Sequence, residues 1–135
     1  MATPRETLDR LLGGISAGAS PDLADLYADD AVVDLPFAVP APLHLEGRDA
    51  LRAHFAAAAA GPVAVEAHNV VVHETADPEV IVAEYDYRGR VTTTGRSFEV
   101  ANVVVLRIRD GRIAASRDYH NHAAIAEALS GVTED

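Results

Sequence analysis

The spacing of apolar residues changes once along this chain, near residue 62, and this change constrains the fold more than any other feature. Before it, Leu8, Leu11, Leu12 and Ile15 recur at the steps that place side chains on one face of a helix. After it, apolar and polar residues alternate, as in Glu79–Thr93, which is typical of strands with one buried face. Helices followed by a run of long strands predict an α+β domain.

Start and stop signals divide the first part of the chain into three helices. Thr3–Glu6 has the sequence of a capping box, and the helix that it begins should end before Gly18. A second helix is predicted to begin at Ser20–Pro21, to include Tyr27 and to end at Asp29–Asp30. A third follows Gly47 and ends at Gly61, which precedes a proline.

The remaining signals complete the predicted architecture. A short strand is predicted at Ala31–Leu35, and three prolines predict an irregular loop over residues 36–42. Asn121 is suited to cap a short C-terminal helix that ends at Gly131. We therefore expect one domain over residues 1–135, with three N-terminal helices against a strongly curved, mostly antiparallel sheet and a short C-terminal helix.

The Asp110–Gly111 pair predicts a hairpin between the last two strands, and two registers are open. A two-residue loop places Val103 opposite Asp118. A three-residue loop with a bulge at Gly111 places Asn102 opposite Asp118 instead. We favour the second register, because charged residues mark the odd-numbered face of the strand before the loop as polar: Glu99, Arg107 and Arg109.

Composition excludes several classes of function. The chain has 135 residues, a formal net charge of −10 and no cysteine. This charge opposes binding to nucleic acid or to an anionic membrane, and the lack of cysteine removes disulfides and thiolate chemistry. The N-terminus has no apolar signal region, and no apolar run reaches the roughly 20 residues of a membrane span. We expect a cytoplasmic protein with neither nucleic acid nor membrane as partner.

Two stretches of sequence carry a resemblance to known enzymes. Tyr27–Pro36, which reads YADDAVVDLP, and Glu46–Ala50 resemble the start of ketosteroid isomerases and SnoaL-like polyketide cyclases. Asp110–Ile113 and Arg117–Asn121 are similar to the final hairpin of limonene epoxide hydrolases and SnoaL-like proteins. These enzymes belong to the nuclear transport factor 2-like superfamily. The resemblance therefore implies a cone-shaped α+β barrel around a pocket.

The catalytic positions of these enzymes leave one acidic candidate in this chain. The Arg-x-Asp pair of limonene epoxide hydrolases falls at Tyr85 and Tyr87. The acid/base aspartate of SnoaL-like cyclases and the water-activating aspartate of the epoxide hydrolases both match Asp118. The resemblance thus implies Asp118 as the catalytic residue. The three catalytic positions of ketosteroid isomerases fall at or near apolar residues: Leu35, Leu11 and Val104.

Several polar residues are candidates for binding a substrate beside Asp118. Tyr85 and Tyr87 share the apolar face of their strand, and Asn102 is the only polar residue in an apolar row over residues 98–108. A buried hydroxyl or amide needs a hydrogen-bond partner, and a ligand is one option. His120 shares the face of Asp118 and is a candidate acid/base partner. For each of them, ordinary packing or solvent exposure is the alternative.

The Pro-rich loop supplies two further candidates, Asp34 and Phe37, because the resemblance places this segment at the mouth of the pocket. The alternative is ordinary polarity of a solvated loop. The chain has six histidines, but none forms the helical His-x-x-x-His pair of zinc enzymes. We therefore predict neither a metal nor another cofactor.

Two functions remain open at this stage. The first is a small-molecule enzyme in which Asp118 is an acid/base in an apolar pocket, as an isomerase, cyclase, dehydratase or epoxide hydrolase. The second is a non-catalytic module of the same fold that binds a hydrophobic small molecule or dimerises. Ala101, Val103 and Val105 place apolar side chains on the odd-numbered face of their strand, which predicts a homodimer.

Overall fold

The computed structural model describes residues 2–130, so Gly131, the predicted end of the last helix, lies outside the described residues. The helices are α1 (Pro4–Ser16), a 3₁₀ helix (Pro21–Leu26), α2 (Arg48–Ala60) and α3 (His122–Ser130). The strands are β1 (Tyr27–Leu35), β2 (Leu43–Glu46), β3 (Val63–Glu74), β4 (Val80–Val91), β5 (Ser97–Arg109) and β6 (Arg112–His120). None of the helices in residues 2–130 has the length and apolar character that crossing a membrane requires.

The first helix begins as the capping box predicts. The Thr3 hydroxyl accepts a hydrogen bond from the Glu6 backbone N–H at 3.1 Å, and the Glu6 carboxylate accepts one from the Thr3 backbone N–H at 2.9 Å. Two backbone N–H groups at the start of the helix are thereby satisfied. The apolar stripe of α1 is buried, with Leu8 fully enclosed.

The segment around Tyr27 differs from the prediction. The second helix is a 3₁₀ helix that ends at Leu26, and Tyr27 begins β1 because it pairs with Ile113 of β6. β2 lies just after the predicted loop and pairs antiparallel with β1. A strand of this length is too short to show the alternation on which a sequence-based prediction depends.

The strands form one six-stranded sheet in the order β2-β1-β6-β5-β4-β3. β1 and β6 are parallel and the other neighbouring pairs are antiparallel, so the mostly antiparallel sheet is confirmed. Register shifts in the β1–β6, β3–β4 and β5–β6 pairs mark bulges or irregularities, which bend strands. Within residues 2–130 the sheet is not closed into the barrel that the resemblance implied, because β2 and β3 are its edges.

The β5–β6 hairpin combines features of both predicted registers. Its loop has two residues, Asp110 and Gly111, with φ of 53° and 78°, as hairpin turns of this length require. The bulge is at Ala114, because Ile108 pairs with Ile113 whereas the preceding β5 residue pairs with Ala115. The favoured three-residue loop, with its bulge at Gly111, is therefore wrong.

The register that results also corrects the expected partner of Asp118. Asp118 lies opposite Val104, and Asn102 lies opposite His120. The predicted pairing of Asn102 with Asp118 is wrong by two residues. Because a shift of two preserves the facing of side chains, Asp118 and Asn102 still lie on one face of the sheet.

We call this face the inner face, because it packs into the core with α1, α2 and the 3₁₀ helix. Its most buried members in β5 and β6 are Leu106 and Ile113, at 1% and 0% exposure. The opposite face, which we call the outer face, carries charged pairs such as Arg107 with Glu79 at 3.0 Å. The inner face of β4 and β5 is lined by apolar and neutral residues: Ile81, Ala83, Tyr85, Tyr87, Val100, Asn102, Val104 and Leu106.

Replacing Thr3 by Ala should lower the free energy of unfolding by about 1 kcal/mol, because the cap of α1 is lost. Urea denaturation followed by circular dichroism measures the change. Thr3→Ser keeps the capping oxygen and serves as the control, with stability close to that of the unmodified protein. Equal stability of all three proteins would contradict the assigned cap.

Candidate active site

The inner face of the sheet gathers polar side chains from four strands around Asp118. Tyr85 of β4, Asn102 of β5 and His120 of β6 lie in one row across neighbouring strands. Asp118 lies in the next row, beside Val104 and Ala83. We call this group, together with Ser116, Tyr27 and Tyr87, the inner cluster.

Asp118 is the only residue on the inner faces of β4, β5 and β6 with a formally charged side chain. Its carboxylate is surrounded by protein atoms, although the residue as a whole keeps partial access to solvent. Burial raises the pKa of Asp118 to about 6, because the carboxylate has lost water. The Ser116 hydroxyl donates a hydrogen bond to Oδ1 and opposes this rise in pKa.

Three tyrosines face Asp118 from two other strands. Burial raises the pKa of Tyr27 and of Tyr85 well above the ordinary value, and that of Tyr87 to about 12. The negative charge of Asp118 contributes to the raised pKa of all three. The tyrosines therefore stay neutral near pH 7, as hydrogen-bond donors.

The histidines beside this cluster are also neutral. Burial lowers the pKa of His120 to about 4, and proximity to His122 and His54 adds to the effect. Its Nε2 lies 3.4 Å from the Tyr85 hydroxyl, and its ring stacks on that of His122 at 5.6 Å. His120 therefore extends the set of neutral polar groups next to Asp118.

Asn102 has polar atoms with unused hydrogen-bonding capacity. Its side chain is 2% exposed, and neither Oδ1 nor Nδ2 has a hydrogen-bond partner within residues 2–130. Leaving a buried polar group unpaired costs about 1–3 kcal/mol. A ligand or an ordered water that presents both a donor and an acceptor to Asn102 would recover that energy.

The structure does not bring Asp34 and Phe37 into the inner cluster. Asp34 lies on the outer face, where its carboxylate is 2.5 Å from Nδ1 of His44. The hydrogen bond to Asp34, followed by one to Glu46 at 2.8 Å, raises the pKa of His44. Phe37 is 60% exposed and meets the ring of Tyr119 edge-on at 5.4 Å.

A groove of about 460 Å³ lies beside the end of β6 and brings Phe37 near the histidines. Its lining includes Phe37, Val103, Tyr119, His120 and His122. A second recess of about 440 Å³ lies between α1 and the 3₁₀ helix and contains none of the predicted site residues. Within residues 2–130, no group of three or more histidine and acidic side chains is placed to hold a metal ion.

A family model for the SnoaL-like domain matches residues 8–116 of this sequence. The chain belongs to the SnoaL-like domain family. An uncharacterised PhzA/B-like protein of Pseudomonas aeruginosa is 32% identical to this SnoaL-like domain, over 95% of this chain and 91% of the relative.

Solved structures place the SnoaL-like domain in the same fold. A Bacillus subtilis protein that is provisionally described as an isomerase has a TM-score of 0.86 and 26% identity, over 94% of this chain and 92% of that protein. A Pseudomonas putida protein provisionally described as a polyketide cyclase has a TM-score of 0.80 and 18% identity, over 95% and 98% of the two chains. The second similarity shows the fold alone. The nuclear transport factor 2-like fold is confirmed.

Sequence reasoning did not identify four residues in or beside the inner cluster of this SnoaL-like domain: Tyr27, Ser116, His54 and His122. Tyr27 stands at the start of the stretch that carried the resemblance, but it was assigned to a helix. Ser116 shares the alternation of Asp118, and this signal was available. His54 comes from α2, and only tertiary packing brings it near His120, whereas His122 is two residues from His120 in the sequence.

Replacing Asp118 by Asn should change how the stability of the SnoaL-like domain depends on pH. The raised pKa means that the folded state favours the protonated carboxyl. The unmodified protein therefore loses stability as pH rises from about 4 to about 6. At roughly 1.4 kcal/mol per pH unit, the loss is about 3 kcal/mol. Asparagine does not ionise, so the variant should not show this loss. Its free energy of unfolding, relative to that of the unmodified protein, should therefore increase by about this amount as the pH rises.

Urea denaturation at pH 4 and pH 7 measures this difference. Asp30→Asn changes an exposed carboxyl and is the matched control. The difference in the free energy of unfolding between Asp118→Asn and the unmodified protein could instead be the same at both pH values. That result would show that the environment of Asp118 does not oppose its charge.

Proposed function

We propose that this protein is a small-molecule enzyme of SnoaL-like type, in which Asp118 is the acid/base of an apolar pocket on the inner face. The reaction classes that this proposal covers are isomerisation, cyclisation, dehydration and epoxide hydrolysis. We also expect it to act as a single domain in the cytoplasm.

The observation that supports the proposal is the environment of Asp118. A carboxyl whose pKa is raised to about 6 is still ionised near pH 7, yet it holds a proton more strongly than an exposed aspartate does. It can therefore take a proton in one step and return it in the next. Because the residue as a whole keeps partial access to solvent, we propose that a bound molecule reaches the carboxylate from the exposed side.

Proton transfer through Asp118 balances without a cofactor. The carboxylate accepts a proton from a carbon next to a carbonyl group, or from a water molecule, and the electron pair of the broken bond stays with the substrate or the hydroxide. In the first case the negative charge moves to the carbonyl oxygen, where Tyr85 or Tyr87 can donate a hydrogen bond. In the first case the proton then returns from Asp118 to a carbon of the isomerised substrate. In the second case the hydroxide attacks an epoxide carbon, the C–O bond of the ring breaks with its electron pair on oxygen, and that oxygen takes the proton from Asp118.

The inner cluster also indicates which substrates fit. Its tyrosines and His120 are neutral near pH 7, and Asp118 carries negative charge. An anionic substrate would be repelled, so we propose a neutral, hydrophobic molecule with a carbonyl, hydroxyl or epoxide oxygen. In this proposal Tyr85, Tyr87, Asn102 and His120 bind the substrate. Phe37 flanks the entrance, since it shares a groove with His120.

A non-catalytic module that dimerises is the second candidate, and the outer face favours it. Val71 and Val103 on the outer face are 51% and 36% exposed, although both are large apolar side chains. Phe37, at 60% exposure, extends this apolar surface beside Val103. We propose that a second copy of the chain covers it in a homodimer, which is compatible with either function.

Asp118→Asn should lower kcat/KM by about 10²–10⁴-fold on any substrate of the unmodified enzyme, because it removes the base while keeping the shape of the side chain. A thermal-shift screen against lactones, epoxides, steroids and polyketide-like aromatic compounds identifies the molecule to assay. The kcat/KM of the unmodified enzyme should fall about tenfold per pH unit below pH 6, as Asp118 becomes protonated. Asp30→Asn is the control, and full activity of the Asp118 variant would refute the catalytic role.

Val103→Lys should convert the dimer to a monomer, because it places a charge in the apolar part of the outer face. Sedimentation velocity at micromolar concentration measures the mass. Val39→Lys changes a loop residue that is 51% exposed, and it should leave association unchanged. A protein that is already monomeric before substitution would overturn the proposed dimer.

A further inference from the structure

Ser116 is a buried hydroxyl whose only hydrogen-bond acceptor within residues 2–130 is Asp118. Its side chain is 2% exposed and lies two residues before Asp118 on the inner face of β6. Its partners across the sheet are Leu106 of β5 and Val33 of β1, both apolar and buried. The hydroxyl therefore depends on the carboxylate for its hydrogen bond.

We propose that Ser116 is a positioning residue, which keeps the Asp118 carboxylate ionised and oriented for proton transfer. This inference rests on the proposed function. It adds a role that the carboxylate alone cannot fill, because burial by itself favours the neutral acid, which accepts no proton.

Ser116 can fill this role because none of the titratable groups around Asp118 carries a positive charge. The titratable side chains that face Asp118 are Tyr27 from β1 and Tyr85 and Tyr87 from β4, and none of them is a cation. His120, two residues further along β6, is neutral near pH 7 because burial lowers its pKa to about 4. No positive charge in this group therefore stabilises the carboxylate.

The geometry of the hydrogen bond also fits proton transfer. A hydroxyl that donates to a carboxylate stabilises the charged form, and thereby lowers the carboxyl pKa against the effect of burial. The bond engages Oδ1, and Oδ2 has no hydrogen-bond donor within residues 2–130. One oxygen is thus held by the protein, while the other is left to exchange a proton with the substrate.

The decisive experiment is a titration of the Asp118 carboxyl carbon by ¹³C NMR, in the full-length protein without substrate. Ser116→Ala should raise the pKa of Asp118 by about 1–2 pH units, the equivalent of one hydrogen bond to a charged group. Once a substrate is known, the acid limb of the kcat/KM profile should move upward with it. Ser116→Thr retains the hydroxyl and should restore the original titration.

Thr7→Val provides a control for the loss of a buried hydroxyl elsewhere. Thr7 is 1% exposed, and its hydroxyl donates to the backbone oxygens of Thr3 and Gly111 at 3.1 and 3.2 Å. This variant should lose stability without moving the Asp118 titration. If Ser116→Ala does not fold, Ser116→Cys offers a weaker donor of similar size and should give a smaller upward shift.

The outcomes separate this inference from the proposed function. An Asp118 titration that is unchanged in folded Ser116→Ala overturns the role of Ser116 and leaves the catalytic role of Asp118 standing. A titration that moves, together with full activity of Asp118→Asn on a confirmed substrate, overturns the proposed function and with it any catalytic role for Ser116. A titration and an acid limb that move together support both.

Discussion

The extra residue at Ala114 determines which side of the sheet carries the candidate active site. Without this bulge, the pairing of Ile108 with Ile113 would continue evenly along the hairpin, and Asp118 would lie opposite Val103 on the outer face. With it, the last part of β6 is shifted by one residue, and Asp118 lies opposite Val104. The inner cluster therefore depends on one bulge in the backbone, at a residue that is not itself part of the cluster.

Placing a carboxylate on this inner face has an energetic cost that shapes its surroundings. Burial alone drives Asp118 towards the neutral acid, and the Ser116 hydroxyl opposes this effect. The nearby tyrosines and His120 remain neutral, so the site holds one negative charge among hydrogen-bonding groups without charge. Such a site is suited to moving a proton within an uncharged molecule, and unsuited to holding an anion.

The proposed chemistry lies on the inner face of the sheet, and the proposed dimer contact lies on the outer face. Ion pairs lie on the outer face, where Arg107 contacts Asp77 and Glu79 at 3.0 Å, and solvent reduces their contribution to stability. The proposed homodimer would use exposed valines on the same face. Phe37 and Val103 of that surface also line the groove beside His120, so the proposed dimer contact borders the proposed entrance.

Local signals in the sequence determined most of the fold. The capping box at Thr3, the apolar stripe of α1 and the alternation along β4 each depend on residues close in sequence, so each could be predicted. The inward facing of Asn102 and Tyr85 followed from alternation along their strands, and the resemblance pointed to Asp118, whose facing depends on the bulge at Ala114.

Only the tertiary structure decided the features that depend on distant parts of the chain. Tyr27 is a strand residue because β6, far along the sequence, pairs with it, and the bulge at Ala114 is a matter of register between two strands. The open edges of the sheet and the approach of His54 to His120 likewise arise when separate elements pack together. Periodicity in a sequence fixes which side chains share a face of one element, whereas the pairing of elements fixes which faces and which residues meet.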